Sequence, residues 1–216
     1  MSDWTPDWTL QINGVNYANI TLANLTIASG RTDIYSQPRA GYCTFEIINL
    51  DVAAIVAQVN DGVIIRVKDS SGDLVDLFGG EITDITVSVR SSGSGGITQL
   101  ISITALGALS KLSRSLTNGV LSKDFDGNQI YDLLQDLLVN NWNEVSAAET
   151  WATYNPTTTW ANAENVGLGE IDRPGNYELM ARTSNETDFY SLVSALATSG
   201  LGYIYESATG AIGYAD

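Results

Sequence analysis

The feature that most constrains this chain is period-two alternation between Gly30 and Val89. Strand-forming residues alternate with polar ones in Tyr42-Cys43-Thr44-Phe45-Glu46-Ile47, in Val63-Ile64-Ile65-Arg66-Val67-Lys68 and in Ile82-Thr83-Asp84-Ile85-Thr86-Val87-Ser88-Val89. That period sends one set of side chains to a core face and the other to water. Asp69 to Gly72 reads as a turn and Leu74 to Gly80 as a short apolar arm. Asn13-Gly14, between Trp8–Ile12 and Val15–Tyr17, is a strong short hairpin signal. Leu22 to Ala28 and Thr98 to Thr104 add strands, and Ser91 to Gly96 reads as a loop tip. Residues 51–59 carry apolar side chains at 52, 55, 56 and 59, which predicts a short helix stopped at Asp61-Gly62. A second short helix is expected over Ala105 to Leu112. Six or seven strands with two short helices give a β-barrel, or a sandwich with a helix attached.

The second half changes period. Ile130, Leu133, Leu134, Leu137 and Leu138 form one stripe of a helix over Gly127 to Val139, with Asp126 and Gln129 spaced as a capping box. Phe189, Leu192, Val193 and Leu196 share a face of a second helix over Asp188 to Thr198, and Gly200 is placed to stop it. Residues 201–214 read as a hairpin. Residues 143–176 contain Trp151, Tyr154 and Trp160 without clean periodicity, which predicts a long irregular loop. Such loops are usually functional or covered by a partner. The expected fold is mainly β with α+β: a barrel over 1–115, then a small α/β domain over 116–216.

Composition excludes several chemistries. Histidine is absent, so Ser/His/Asp and Cys/His catalysis cannot be built within the chain. The single cysteine, Cys43, sits inside a strand pattern with no basic neighbour and reads as a buried strand residue. No phosphate loop, dinucleotide fingerprint or zinc spacing occurs. Asp124-Phe125-Asp126-Gly127-Asn128 places glycine too early for a calcium loop, and no metal or cofactor is expected. A glycosidase using two carboxylates needs neither His nor Cys, and Trp151, Tyr154 and Trp160 could stack on sugar rings. Packing of the same aromatic residues in the core or at a subunit contact is the favoured reading. The opening Met1-Ser2-Asp3-Trp4 is unlike a secretory leader, and no apolar run reaches membrane-spanning length, so no membrane anchor is expected.

Net charge is −15, and it is uneven. Residues 1–116 carry 7 basic and 11 acidic groups, whereas residues 117–216 carry 3 and 14. That surface repels phosphate backbones.

The order of motifs resembles the tail-hub, or baseplate-hub, family of phage tail-tip proteins. The residues are Gly30, Arg31, Asp33 and Pro38, then Leu77, Phe78, Gly80, Ile82 and Ile85. In the second half Asp126-Gly127, Trp142, Asp188 to Leu192, Gly200, Tyr203, Tyr205, Gly210 and Ile212 to Tyr214 continue it. The resemblance implies a tail-tube-like barrel and a structural role in the virion, not an enzyme. It implies a homotrimeric ring whose lumen passes DNA without tight binding. Partners would be tail tube, distal tail and tail fibre or spike proteins, with assembly in the bacterial host cytoplasm. Family members continue into a second barrel, so the expectation is a fragment or a hub completed by another chain. Trp151, Tyr154 and Trp160 become candidate subunit contacts, and Asp124, Asp132, Asp136, Glu144 and Glu149 candidate lumen-facing acids. The rival expectation is a carbohydrate-binding or host-recognition β-sandwich using the Trp-rich loop.

Overall fold

The computed structural model describes residues 7–17, 21–49, 55–92, 96–137 and 167–216. The first seven strands are β1 (Trp8–Ile12), β2 (Val15–Tyr17), β3 (Thr21–Gly30), β4 (Arg39–Asn49), β5 (Gly62–Lys68), β6 (Leu74–Ser92) and β7 (Gly96–Gly107). They form one antiparallel sheet in the order β2-β1-β5-β6-β7-β4-β3. Asn13 and Gly14, at φ 46° and 77°, make the tight turn between β1 and β2, as the Asn-Gly signal predicts.

The two outer strands, β2 and β3, are consecutive in the chain. In a flat sheet they would lie six spacings apart, about 29 Å at about 4.8 Å each. Tyr17 and Thr21 are four residues apart, and four residues reach at most about 14 Å. The sheet must therefore wind back on itself like a barrel. Its concave face holds one core: Leu10 and Ile12, Cys43, Phe45 and Ile47, Val63 and Ile65, Phe78 and Ile82, with Ile101, Ile103 and Ala105. Burial pushes the Cys43 thiol up to about 12, which suits a packing role.

The second core forms where the rest of the chain covers the outside of β5. Ile64 points away from the barrel interior and is fully buried there. Strand β5 is thus apolar on both faces, which explains the uninterrupted run Val63-Ile64-Ile65. Helix α1 (Leu109–Leu112) contributes Leu109 and Leu112. Helix α2 (Asp126–Asp136) and the residue after it contribute Ile130, Leu133, Leu134 and Leu137. Helix α3 (Phe189–Ser199) contributes Phe189, Val193 and Ala197. Asp188 caps α3, its carboxylate accepting from the Ser191 amide at 2.7 Å. The remaining strands are short: β8 (Leu116–Thr117), β9 (Asp124–Phe125), β10 (Gly167–Ile171), β11 (Glu178–Leu179), β12 (Thr187–Asp188), β13 (Tyr203–Glu206) and β14 (Ala211–Ala215). β14 sits between β10 and β13 in a three-stranded sheet, and β8–β12 and β9–β11 are antiparallel pairs.

Several expectations are corrected. Residues 55–58 are not helical. The Tyr17 hydroxyl bonds both the amide and the carbonyl of Val56, using the backbone groups a helix would need. Ile55 and Ala57 pack against the barrel core while Val56 is 65% exposed. Residues 51–54 lie outside the described set. The apolar arm 74–80 and the strand after it are one 19-residue strand, β6. The short helix expected over 105–112 shrinks to α1, because Ala105 to Gly107 stay paired in the sheet. Asp126 does not cap α2: it is fully buried, and Tyr214 donates to its carboxylate at 2.5 Å. Gln129 donates instead to the Ser122 and Met180 carbonyls. Part of the irregular segment is regular, since 167–171 form β10, parallel to β14.

Phe45 is 1% exposed at the centre of the barrel core. Phe45→Ala should cost about 3–5 kcal/mol in urea unfolding, the range for a large buried ring. A cost under about 1 kcal/mol would mean the concave face is not a packed core.

Candidate functional site

Outside the two cores, four features stand out, and none is a catalytic constellation. The first is a joint. Glu206, on β13, reaches across to the barrel and accepts the Gly41 amide of β4 and, at 2.9 Å, the Leu109 amide at the start of α1. A Cβ on Gly107 would collide with this carboxylate, so glycine leaves the room the joint needs. Burial raises the Glu206 carboxyl above its usual range, opposed by those two amides. Nearby, Lys111 of α1 pairs with buried Glu81 of β6.

The second feature is the loop 31–38 between β3 and β4. Asp33 Oδ1 accepts the Tyr35 and Ser36 amides at 2.8 and 2.9 Å. Arg31 donates to the Ile34 carbonyl, and its guanidinium sits 4.7 Å from the Tyr203 ring centre. Gln37 donates to Thr198 Oγ1 and the Gly202 carbonyl and accepts the Ile204 amide. The Tyr190 hydroxyl donates to the Pro38 carbonyl. The tip nevertheless projects into solvent, Ile34 being 70% and Tyr35 89% exposed.

The third is the outer half of the β6–β7 hairpin. β5 accompanies β6 only as far as the Gly62–Glu81 pair. β4 accompanies β7 as far as the Asn49–Gln99 pair. The hairpin runs on to the Ser92–Gly96 pair. Among the described residues no strand pairs with β6 from Asp84 to Ser92 on the side away from β7. Val87, Val89 and Ile97 are 52%, 62% and 58% exposed there.

The fourth is a cleft of about 520 Å³ beside β8. Leu116, Val120, Leu121 and Leu133 supply apolar wall, and Asp132 and Glu186 the acidic edge. Leu116 and Val120 are themselves 64% and 67% exposed.

Of the sequence-predicted acids, the side chains of Asp124 and Asp132 are described. Asp124 is tied down locally, accepting from the Phe125 amide and from Asn128 Nδ2; the Asn128 bond is the main reason its carboxyl is held below the usual value. Asp132 is exposed and edges the cleft. The side chain of Asp136 lies outside the described set, as do Glu144, Glu149, Trp151, Tyr154 and Trp160. Among the described residues no three Cys, Asp or Glu side chains form a group able to hold a metal ion.

No family model matches the sequence, and no curated protein matches it. Solved structures do match. In fold the chain resembles tail proteins. A prophage MuSo2 43 kDa tail protein from Shewanella oneidensis superposes with TM-score 0.57 and 13% identity, over 96% of this chain and 52% of that one. The E. coli c3393 protein gives 0.51 and 13%, over 95% and 48%. It is described as a component of the type VI secretion system with structural similarity to the T4 bacteriophage tail proteins gp27 and gp5. A PdpA–VgrG complex gives 0.50 and 10%, over 98% and 35%. This chain thus spans about half, or less, of each of these three chains. At such identities the likeness is one of fold. No helix among the described residues is long and apolar enough to cross a membrane.

Sequence reasoning missed the joint. Glu206 follows Tyr203-Ile204-Tyr205 as an ordinary polar strand residue, and its partners lie 165 and 97 residues away. The available signals were Gly41 and Gly107, glycines whose missing Cβ leaves room for the Glu206 carboxylate.

The joint has a pH signature. A carboxyl whose native pKa is raised stabilises the fold most below its ordinary value and loses that contribution as pH rises through the native pKa. Glu206 should therefore titrate above the ordinary 4.5 in a carboxyl-carbon NMR titration. Wild type should lose stability relative to Glu206→Gln as pH rises through that midpoint. A midpoint at or below 4.5 would show that the two amides outweigh burial.

Proposed function

We propose that this chain is a structural component of a phage tail tip, a hub or baseplate protein rather than an enzyme. It forms a ring, a homotrimer, around a DNA channel, with other tail proteins as neighbours in the virion. The observation that carries this reading is the outer edge of β6, unpaired among the described residues, on a fold shared with tail proteins. An exposed strand edge of this length is normally blunted by charge, proline or a covering element. From Asp84 to Ser92 the only charged residues are Asp84 and Arg90. A neighbouring subunit that adds a strand there satisfies the free amides and carbonyls and covers Val87 and Val89. On this reading 1–115 is the ring-forming barrel domain and 116–216 a smaller domain beside it. Trp151, Tyr154 and Trp160 are subunit contacts. Asp124, Asp132, Asp136, Glu144 and Glu149 face the axis, where like charge keeps DNA from sticking.

Two measurements test it. Electron microscopy of the purified chain should show rings with an open axis. The double variant Val87→Lys, Val89→Lys should remain folded but lose them, since lysine is the usual guard of an exposed edge. Rings that survive both lysines would remove the β6 edge from the interface. The chain should also show negligible duplex affinity at moderate salt; tight, steeply salt-dependent binding would contradict a low-friction channel.

A further inference from the structure

Asparagine followed by glycine is a pair open to spontaneous deamidation, because glycine has no side chain to shield the asparagine amide carbon from the next backbone nitrogen. Two such pairs occur in the chain, Asn13-Gly14 and Asn118-Gly119. The reaction needs the peptide unit between the two residues to turn until the glycine nitrogen faces Cγ. What holds that unit therefore decides which asparagine reacts.

The unit between Asn118 and Gly119 is held at both ends. Its carbonyl accepts Arg182 Nη1 at 2.9 Å and the Asn185 amide at 3.0 Å. Its N–H donates to Thr117 Oγ1 at 2.9 Å. Arg182 and Leu192 also wall in Gly119, where a Cβ would collide with both. Asn118 is itself exposed, so access to water is not what protects it.

The unit between Asn13 and Gly14 has none of these ties. Among the described contacts its carbonyl accepts no bond, its N–H donates none, and none reaches the Asn13 side chain. The Asn13 amide bonds the Gly62 carbonyl, and the Gly14 carbonyl accepts Gln11 at 3.4 Å, but these belong to the units before and after. Both residues are exposed. Turning the unit disturbs only β2, three residues at the end of the sheet. Short edge segments of this kind open at small cost in free energy.

We propose that Asn13 is a site of spontaneous deamidation and that Asn118 is protected by its bonds. Solvent base takes the Gly14 amide proton, and the nitrogen bonds to Asn13 Cγ. The Cγ–Nδ2 bond breaks, and Nδ2 leaves as ammonia with a proton returned from solvent. The succinimide so formed takes up one water at either carbonyl, giving aspartate or isoaspartate at position 13. Aspartate tolerates a positive φ as asparagine does and leaves the turn in place. Isoaspartate puts an extra methylene into the main chain, which a two-residue turn with both φ positive does not accommodate. β2 then loses its register with β1, and Tyr17, whose hydroxyl holds the Val56 backbone, loses its seat. The change needs no contact between copies and is independent of the ring reading.

The test ages the full chain in mildly alkaline buffer, folded and in urea, and maps its peptides by mass. In the folded chain Asn13 should convert at least about tenfold faster than Asn118, whose unit must first break three bonds, each worth about two- to tenfold in rate. In urea the two should convert alike. Hydrogen exchange of Val15 to Tyr17 should be faster in the isoaspartyl form, separated by chromatography, and unchanged in Asn13→Asp. Equal conversion of both residues in the folded chain, or an Asn13 that converts in urea and not when folded, overturns the inference. An Asn118 that stays slow in urea overturns its protection by bonds. Exchange in the isoaspartyl form equal to wild type overturns the release of β2.

Discussion

The four-residue step from Tyr17 to Thr21 constrains the whole N-terminal half. It ties the two outermost strands of a seven-stranded sheet together, so the sheet cannot lie flat. Winding gives it a concave face, and that face is dry because twelve apolar side chains from five strands converge on it. The same winding turns the outside of β5 into a second apolar surface, marked by Ile64. Once the barrel has used one face of β5, the other must be covered by something else, and the rest of the chain supplies the cover. The second core is thus a consequence of the first.

How the cover is attached matters for the surfaces left free. Its joint to the barrel is polar as well as apolar: Glu206 to β4 and α1, Gln37 to the end of α3 and the start of β13, Tyr190 to Pro38. Each of these bonds has its partner far away in sequence, so each fixes orientation rather than local structure. They also stiffen the loop 31–38 from below. A rigid loop with an apolar tip, and a cleft at the far end of α3, are by-products of fastening the helical layer to the barrel.

Much of the fold was legible in the sequence, and the failures have physical causes. Period-two runs located β4, β5 and the outer part of β6, and Asn13-Gly14 located the first turn, because those signals are local. α3 was readable from its stripe and from Gly200, which stops it. The helix expected near residue 55 failed because Tyr17, far away in sequence, takes the backbone groups of Val56, a tertiary override that no window of local sequence contains. The capping reading of Asp126 failed for a similar reason: Tyr214, 88 residues away, gives its carboxylate a buried partner. The arm expected over Leu74 to Gly80 runs on through Gly79 and Gly80 into the strand after it. Glycines there allow other backbone to approach closely. Of the candidate site, charge and aromatic content were visible, but the open β6 edge was not. Which strands stop beside which neighbours is a property of register, and register is written only in the folded sheet.

On the ring reading, the exposed apolar residues are where contacts between copies would form. Single exposed apolar residues on a surface need no explanation. Seven of those among the described residues fall in three places, while others such as Met180 and Leu201 are scattered. Val87, Val89 and Ile97 lie on a paired hairpin extending past its neighbours. Ile34 and Tyr35 cap a loop fixed by side chains, and Leu116 and Val120 edge a cleft. A chain with one such patch pairs with one partner and stops. A chain with patches at different places, each held in a fixed direction, can pass the contact from copy to copy. Rigidity decides the outcome, because a fixed angle at each contact is what allows a series of identical contacts to close.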